Sequence, residues 1–427
     1  MPIVKPLALR RNFSWTFAGN MVYAACQWGM LAAIAKLGSP EMVGQFTLGL
    51  AVTAPIIMFS NLQLRSIQAT DTKQEYQFRD YLGLRLIATG LAILVTLGIT
   101  WKSGYSWDTT LVVLGLSLSK AVDSISDVFS GLIQQHERMD LIAISSMLRG
   151  LLALAFLAIA VYFTHSVFLG TLGLSVASAI VLVGYDLPSG ALMFRASQPE
   201  TGNPLTPDWH WGKLQQLLWL SLPLGFTMML ISLNTNIPRY FIDQHLGKRE
   251  LGFFAAISYS MVAANMLVNA LGQSATPRLA KYYAAGNSRA FGALLFKLVG
   301  IGLIIGMIGI FVVKIGGKEI LTILYRPEYA QPQYLEIFLL LMVITAISNV
   351  SSFLGYGMTA IRYFSVQLPL SILVTGISAF SCYWLIPNMG LRGAAIALLI
   401  GAIVQTIFSL GIISHGLFKL ESKVFIK

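Results

Sequence analysis

Three features of this 427-residue chain predict an all-α, polytopic membrane protein. Hydrophobic residues make up 56% of it and charged residues 11%, with a mean hydropathy of +0.71; soluble domains carry about 25% charged residues. The apolar residues come in about twelve runs of roughly twenty, the length at which a helix crosses the ~30 Å hydrocarbon layer. Such runs are too long for barrel strands, which span about ten residues with alternating polarity. A net charge of +11 on a soluble protein would suggest nucleic acid as a partner. No nucleic-acid-binding motif is present, and basic loops on one side of a membrane account for the charge.

The expected spans are 13–35, 42–63, 82–100, 111–133, 141–163, 167–194, 214–236, 250–272, 291–313, 334–358, 365–386 and 391–414. Arg10 and Arg11 precede the first without a small-residue cleavage site, so that span is expected to be retained. Asn20 and Gln27 share one of its faces. Arg65 ends the second span, Arg85 begins the third, and Arg149 lies about 12 Å into the fifth. Pro199, Gly202, Asn203, Pro204 and Pro207 mark residues 195–213 as a linker between an N-terminal lobe, 1–194, and a C-terminal lobe, 214–427. The seventh span closes on Asn234, Asn236, Pro238, Arg239 and Asp243; Asn265, Asn269 and Asn349 fall in later ones. No connection is long enough for a separate catalytic domain. Cys26 and Cys382 sit inside apolar runs and the five histidines are scattered, so no disulfide, metal or cofactor is expected.

The chain repeats itself. Leu37-Gly38 with Gly44-Gln45-Phe46 matches Leu246-Gly247 with Gly252-Phe253-Phe254, an offset of 208 or 209 residues. The run opening at Gly170 matches the one opening at Gly390, offset by 220. Six spans per copy give both copies the same orientation, an architecture that places a central cavity between two six-helix halves and suggests alternating access. With the N-terminus in the cytoplasm, sixteen Lys and Arg residues fall on that side and nine on the other, which favours cytoplasmic termini.

The fourth span is the unusual one. At 100° per residue, Ser117, Lys120, Asp123, Ser124, Asp127 and Ser130 occupy one arc of about 140°. Leu118, Val122, Ile125, Phe129 and Leu132 point the other way. A charge at bilayer depth costs at least ~2.5–3.5 kcal/mol unless it faces protein or water, so other helices are expected to surround this one. Two readings stand: a buried ion pair that fixes packing, or a wall of a polar pathway. One acid suffices to neutralise Lys120, leaving the other as a candidate proton carrier; spacing does not say which of Asp123 and Asp127 that is. Arg65, Arg85, Lys120 and Arg149 outnumber those two acids, a basic excess suited to a phosphate or diphosphate headgroup. The plainer readings are headgroup anchoring for Arg65 and Arg85 and interhelical hydrogen bonding for the asparagines.

The Gly-x-Phe after the first span, the Asn234–Asp243 run, and Pro277-Arg-Leu-Ala-Lys-Tyr-Tyr-Ala-Ala-Gly286-Asn287 resemble the polysaccharide-biosynthesis, Wzx-like flippases of the multidrug/oligosaccharidyl-lipid/polysaccharide exporter superfamily. The resemblance implies export of polyprenyl-diphosphate-linked oligosaccharide across a bacterial plasma membrane. It also implies a basic central cavity, to which Arg65, Lys120, Arg149 and Arg239 would contribute. Pro238 stands where such proteins often carry an acid before the arginine, so a fixed pair there is not carried over. The expected partners are the lipid-linked glycan, membrane lipids and other polysaccharide-assembly proteins, not nucleic acid. A cation-coupled drug or small-molecule exporter is the alternative; isolated acids without matching cations would favour it. A membrane-embedded glycan polymerase or ligase fits less well, because no acidic pair or His cluster stands ready for acid–base chemistry.

The topology is open to single-cysteine labelling of intact cells. A membrane-impermeant reagent should modify cysteines at Asp108 and Gly317 but not at Gly202 or Asn287; modification at Gly202 would invert or break the arrangement.

Overall fold

A computed structural model describes residues 7–71, 75–197, 206–361 and 364–425. Pro199, Gly202, Asn203 and Pro204 of the expected linker lie outside the described residues. In order, the helices are α1 (Leu9–Leu37), α2 (Pro40–Ser60), α3 (Leu64–Thr70), α4 (Phe78–Lys102), α5 (Trp107–Gln135), α6 (Met139–Thr164) and α7 (Val167–Val181). A π-helical turn, Leu182–Asp186, leads directly into α8 (Leu187–Ser197). There follow α9 (Trp211–Leu246), α10 (Lys248–Ser258), α11 (Ser260–Ala284), α12 (Ser288–Leu324), a 3₁₀ turn at Pro327–Ala330, α13 (Pro332–Ala360) and α14 (Phe364–Phe425). No strand occurs among the described residues, and the all-α membrane fold that composition predicts is the fold observed.

Nine helical segments among the described residues are long and apolar enough to cross a membrane. The long helices outside that set are α1, with Asn20 and Gln27, and α5, with its charges. One of the nine, Val366–Phe418, contains two expected spans separated at Gly390, where φ 61° and ψ −138° interrupt α14. Local chemistry sets the other boundaries. Ser39 accepts the Met42 N–H at 3.4 Å with Pro40 in the first turn of α2, and Gln77 and Asp80 cap α4 reciprocally. Asn287 caps α12 through the Ala290 N–H at 2.9 Å. The two matched Leu-Gly pairs are equivalent in structure: α1 ends at Leu37 before Gly38, and α9 at Leu246 before Gly247.

The chain divides within α9 into two compact units, residues 1–232 and 233–427. In the first, α5 is packed on by α2, α3, α4, α6, α7 and α8, while α1 lies on α6. One apolar cluster sits where α4 begins and α5 ends, with the Phe78 ring 5.2 Å from Phe129 and 5.9 Å from Phe194. In the second unit α13 is central, packed against α11, α12 and α14 around Phe291, Phe353 and Leu279. Lipid is as apolar as these side chains, so shape and polar contacts, more than exclusion of water, discriminate the native packing.

The break in α14 rests on glycine alone. A Cβ on Gly390 would meet no atom within 4 Å, but its positive φ with extended ψ is a conformation that essentially only glycine adopts. Gly390→Ala should therefore lower stability by about 1–3 kcal/mol, read as a lower melting temperature in detergent. Gly411→Ala, inside a regular helix with open space around it, should leave melting nearly unchanged.

Candidate functional site

Seven charged side chains meet around α5 in the first unit, arranged in two layers about 6 Å apart along its axis, four residues at 1.5 Å each. In the layer nearer the C-terminal end of α5, Asp127 accepts from Arg85 Nη2 at 3.2 Å and from Arg65 Nη1 at 3.4 Å. Arg65 also donates through Nε to Gln134 Oε1 at 3.0 Å. Arg85, fully buried, donates through Nη1 to Asn61 Oδ1 at 2.6 Å, and Asn61 accepts from Ser124 Oγ at 2.9 Å. Asn61 caps the end of α2, and α3 follows three residues later; this break in the second membrane segment delivers both Asn61 and Arg65 to α5.

In the other layer, Asp123 accepts from Lys120 Nζ at 3.1 Å, Ser178 Oγ at 2.7 Å and Arg149 Nη1 at 3.4 Å. Arg149 also donates through Nη2 to Asp186 Oδ2 at 2.7 Å, and the same oxygen accepts from Ser126 Oγ. Asp186 is buried at the end of the π-helical turn. The surplus residue of such a turn rotates everything after it by about 100° relative to an uninterrupted α-helix. A cavity of about 20 Å³, room for one water, is lined by Tyr23, Gln27, Lys120, Asp123, Arg149 and Ser178.

Several expectations change. Neither Asp123 nor Asp127 is unpaired: Asp123 serves Lys120 and Arg149, and Asp127 serves Arg65 and Arg85. Asp127 does not pair with Lys120, because the cations of α3 and α4 reach it. Arg65 and Arg85 both reach Asp127. A third acid, Asp186, joins the cluster, so four cations face three carboxylates and the excess is one positive charge. The sequence did offer a signal for Asp186, an acid within an apolar run; it gave none for Asn61.

The remaining candidates belong to the second unit. Arg239 Nη1 donates to Asn236 Oδ1 at 2.9 Å, one turn earlier on α9. Asn234 Oδ1 is buried without a hydrogen-bond partner among the described residues. Pro238, four residues on, has no N–H for the Asn234 carbonyl. Asn349 Nδ2 donates to the Gly302 carbonyl at 3.2 Å, joining α13 to α12, which is a packing contact. Asn269 Oδ1 accepts from the Tyr356 hydroxyl at 3.2 Å.

Solved structures with this fold are membrane transporters. A transporter of the MOP superfamily from Pyrococcus furiosus superposes with a TM-score of 0.61 at 13% identity, covering 96% of this chain and 94% of that one. A point mutant of the Vibrio cholerae MATE transporter VcmN gives 0.62 at 14% identity, covering 96% of each chain. Fold and apolar helices together define a multi-pass membrane protein. Residues 9–283 match the family model described as "Polysaccharide biosynthesis protein", and the chain belongs to that family. The capsular polysaccharide biosynthesis protein CapF of Staphylococcus aureus is 28% identical over 397 residues, 93% of this chain and 97% of CapF.

Removing one partner of a buried pair costs about 3–5 kcal/mol. Asp186→Asn keeps the shape and removes the charge beside Arg149, so thermal stability in detergent should fall by an amount of that order. The double variant Arg149→Met with Asp186→Leu should recover part of the loss. Additive losses in the double variant would mean that the two residues are not coupled.

Proposed function

We propose that this exporter flips polyprenyl-diphosphate-linked oligosaccharide across the bacterial plasma membrane by alternating access, without chemical modification of its cargo. In this reading both termini are cytoplasmic, and the six-helix lobes 1–194 and 214–427 are joined by the linker 195–213. The observation that carries it is where the charge excess lies. The Lys120–Asp123–Arg149–Asp186 layer is balanced, whereas the Arg65–Arg85–Asp127 layer keeps one positive charge. The side chains of Arg65 and Lys120 are 32% and 29% exposed; that of Arg85 is fully buried, and Arg149 shows 15%. Arg65 and Lys120 are therefore the cations a diphosphate can reach, while Arg85 and Arg149 hold the carboxylates in place. Arg239, Asn234 and Asn236 complete the proposed substrate contacts in the second unit. Membership of the polysaccharide biosynthesis family and kinship with CapF support a glycan cargo.

The carboxylates give the site a way to release its cargo. A diphosphate bound to Arg65 or Lys120 displaces Asp127 or Asp123 from its cation. The displaced acid, no longer neutralised, is the group able to take up a proton. An organic cation would meet net positive charge, which weighs against drug export.

Flipping of a fluorescent polyprenyl-diphosphate glycan in proteoliposomes, with and without a pH gradient, tests the reading. Arg65→Ala and Lys120→Ala should each lower the rate at least tenfold, with a near-normal amount of folded protein. Asp123→Asn or Asp127→Asn should blunt the response to the gradient. Wild-type rates in both alanine variants would remove the cluster from the substrate path, and an unchanged pH response in both asparagine variants would remove proton coupling.

A further inference from the structure

The second unit holds a cavity of about 320 Å³ lined by α11, α13 and both segments of α14. That volume lies within the range of small-ligand pockets, ~300–1,000 Å³. Among the described residues it has ten lining side chains or glycines, seven of them polar and none charged; Asn269, Tyr356, Thr359, Gln367, Ser371 and Gln405 are the ones that matter here. Polar side chains inside membrane helices ordinarily find partners in neighbouring helices. Several of these are instead left open toward the cavity. Gln367 Nε2 is buried and has no hydrogen-bond partner among the described residues. Thr359 and Ser371 use their hydroxyl protons on backbone carbonyls within their own helices, at 3.0 and 2.9 Å. Their oxygens therefore present lone pairs, while Gln367 presents N–H.

Tyr356, the one aromatic ring of the cavity among the described residues, is fixed from behind. A Cβ on Gly272 would come within 2.1 Å of Tyr356 ring carbons, so the ring lies directly against the backbone of α11. Its hydroxyl is held by Asn269, three residues before Gly272. An uncharged wall that both donates and accepts, beside a fixed aromatic ring, matches the alternating hydroxyl groups and C–H patches of a sugar. Among the described residues the wall offers neither an acid for an organic cation nor a cation for a phosphate.

We propose that this cavity is a saccharide subsite that takes a hexose or N-acetylhexosamine residue of the cargo, with Gln367 donating to a sugar oxygen. The proposal rests on the reading that the cargo is a glycan, but the subsite is separate from the charged cluster around α5.

Saturation-transfer NMR on the purified full chain in nanodiscs tests it directly. The probes are free glucose, galactose, N-acetylglucosamine and N-acetylgalactosamine at millimolar concentration, with inorganic pyrophosphate as competitor. At least one sugar should show transfer that pyrophosphate does not reduce. Gln367→Leu should diminish the signal at least fivefold. Gly272→Ala, which displaces the Tyr356 ring without removing a polar group, should diminish it too. Ser371→Ala, the smallest change in the wall, guards against misfolding of the larger variants and should weaken the signal measurably. No transfer from any of the four sugars, or transfer unchanged in every variant, overturns the subsite. Because the probes carry neither lipid nor diphosphate, their result is independent of the flipping assay. Sugar binding with failed flipping would retain the subsite and remove the flippase reading, and the reverse outcome would do the opposite.

Discussion

The contact between Arg85 and Asp127 is the constraint from which the first unit is built. A guanidinium with no exposed surface persists only if its charge is answered. Asp127 answers the charge, Asn61 takes a second donor, and Ser124 bonds to the same asparagine oxygen. These contacts tie α2, α4 and α5 together at one point. They also explain why α5, with three charges near its middle, is surrounded by six others. Arg65 then binds the remaining oxygen of Asp127 from α3, so the break between α2 and α3 is part of the same solution.

Across its two layers the cluster divides charge from accessibility. Each layer contains one cation that is shut in, Arg85 or Arg149, and one that is partly open, Arg65 or Lys120. The shut-in members keep the carboxylates from collapsing onto the open ones with full strength. Under the proposed function, an incoming anion would compete with an acid already shared between two cations, a weaker rival than an acid devoted to one.

Much of this architecture was legible in the chain. Hydropathy gives the spans because the hydrocarbon layer imposes a length, and helical periodicity gives the polar face of α5 because Lys120, Asp123 and Asp127 fall at spacings of three and four. Partner choice was not legible. Asp127 lies on the lysine's side of α5, yet it binds Arg65 and Arg85 because α3 and α4 happen to abut that level. Asp186 was visible as an acid at depth, but its meeting with Arg149 depends on a helical irregularity that a 100° wheel does not contain. The uncharged cavity of the second unit was hidden for another reason. Its residues are common in membrane helices and are scattered from Asn269 to Gln405, so only folding reveals them as one surface.

The turn at Leu182–Asp186 makes the charge balance of one layer a matter of winding. Were it wound back into an ordinary helix, Asp186 would swing by about 100°, and Tyr185 would approach the place where the carboxylate now stands. Arg149 would then have Asp123 alone, and the layer would change from neutral to positive with no residue mutated. Deleting one codon inside the turn has the opposite meaning. It removes the surplus residue while leaving the carboxylate on the same side, so the charge stays answered and the slack in the helix is gone. A one-residue difference in length at this point is therefore a mark by which relatives with a fixed charge balance can be told from those with an adjustable one.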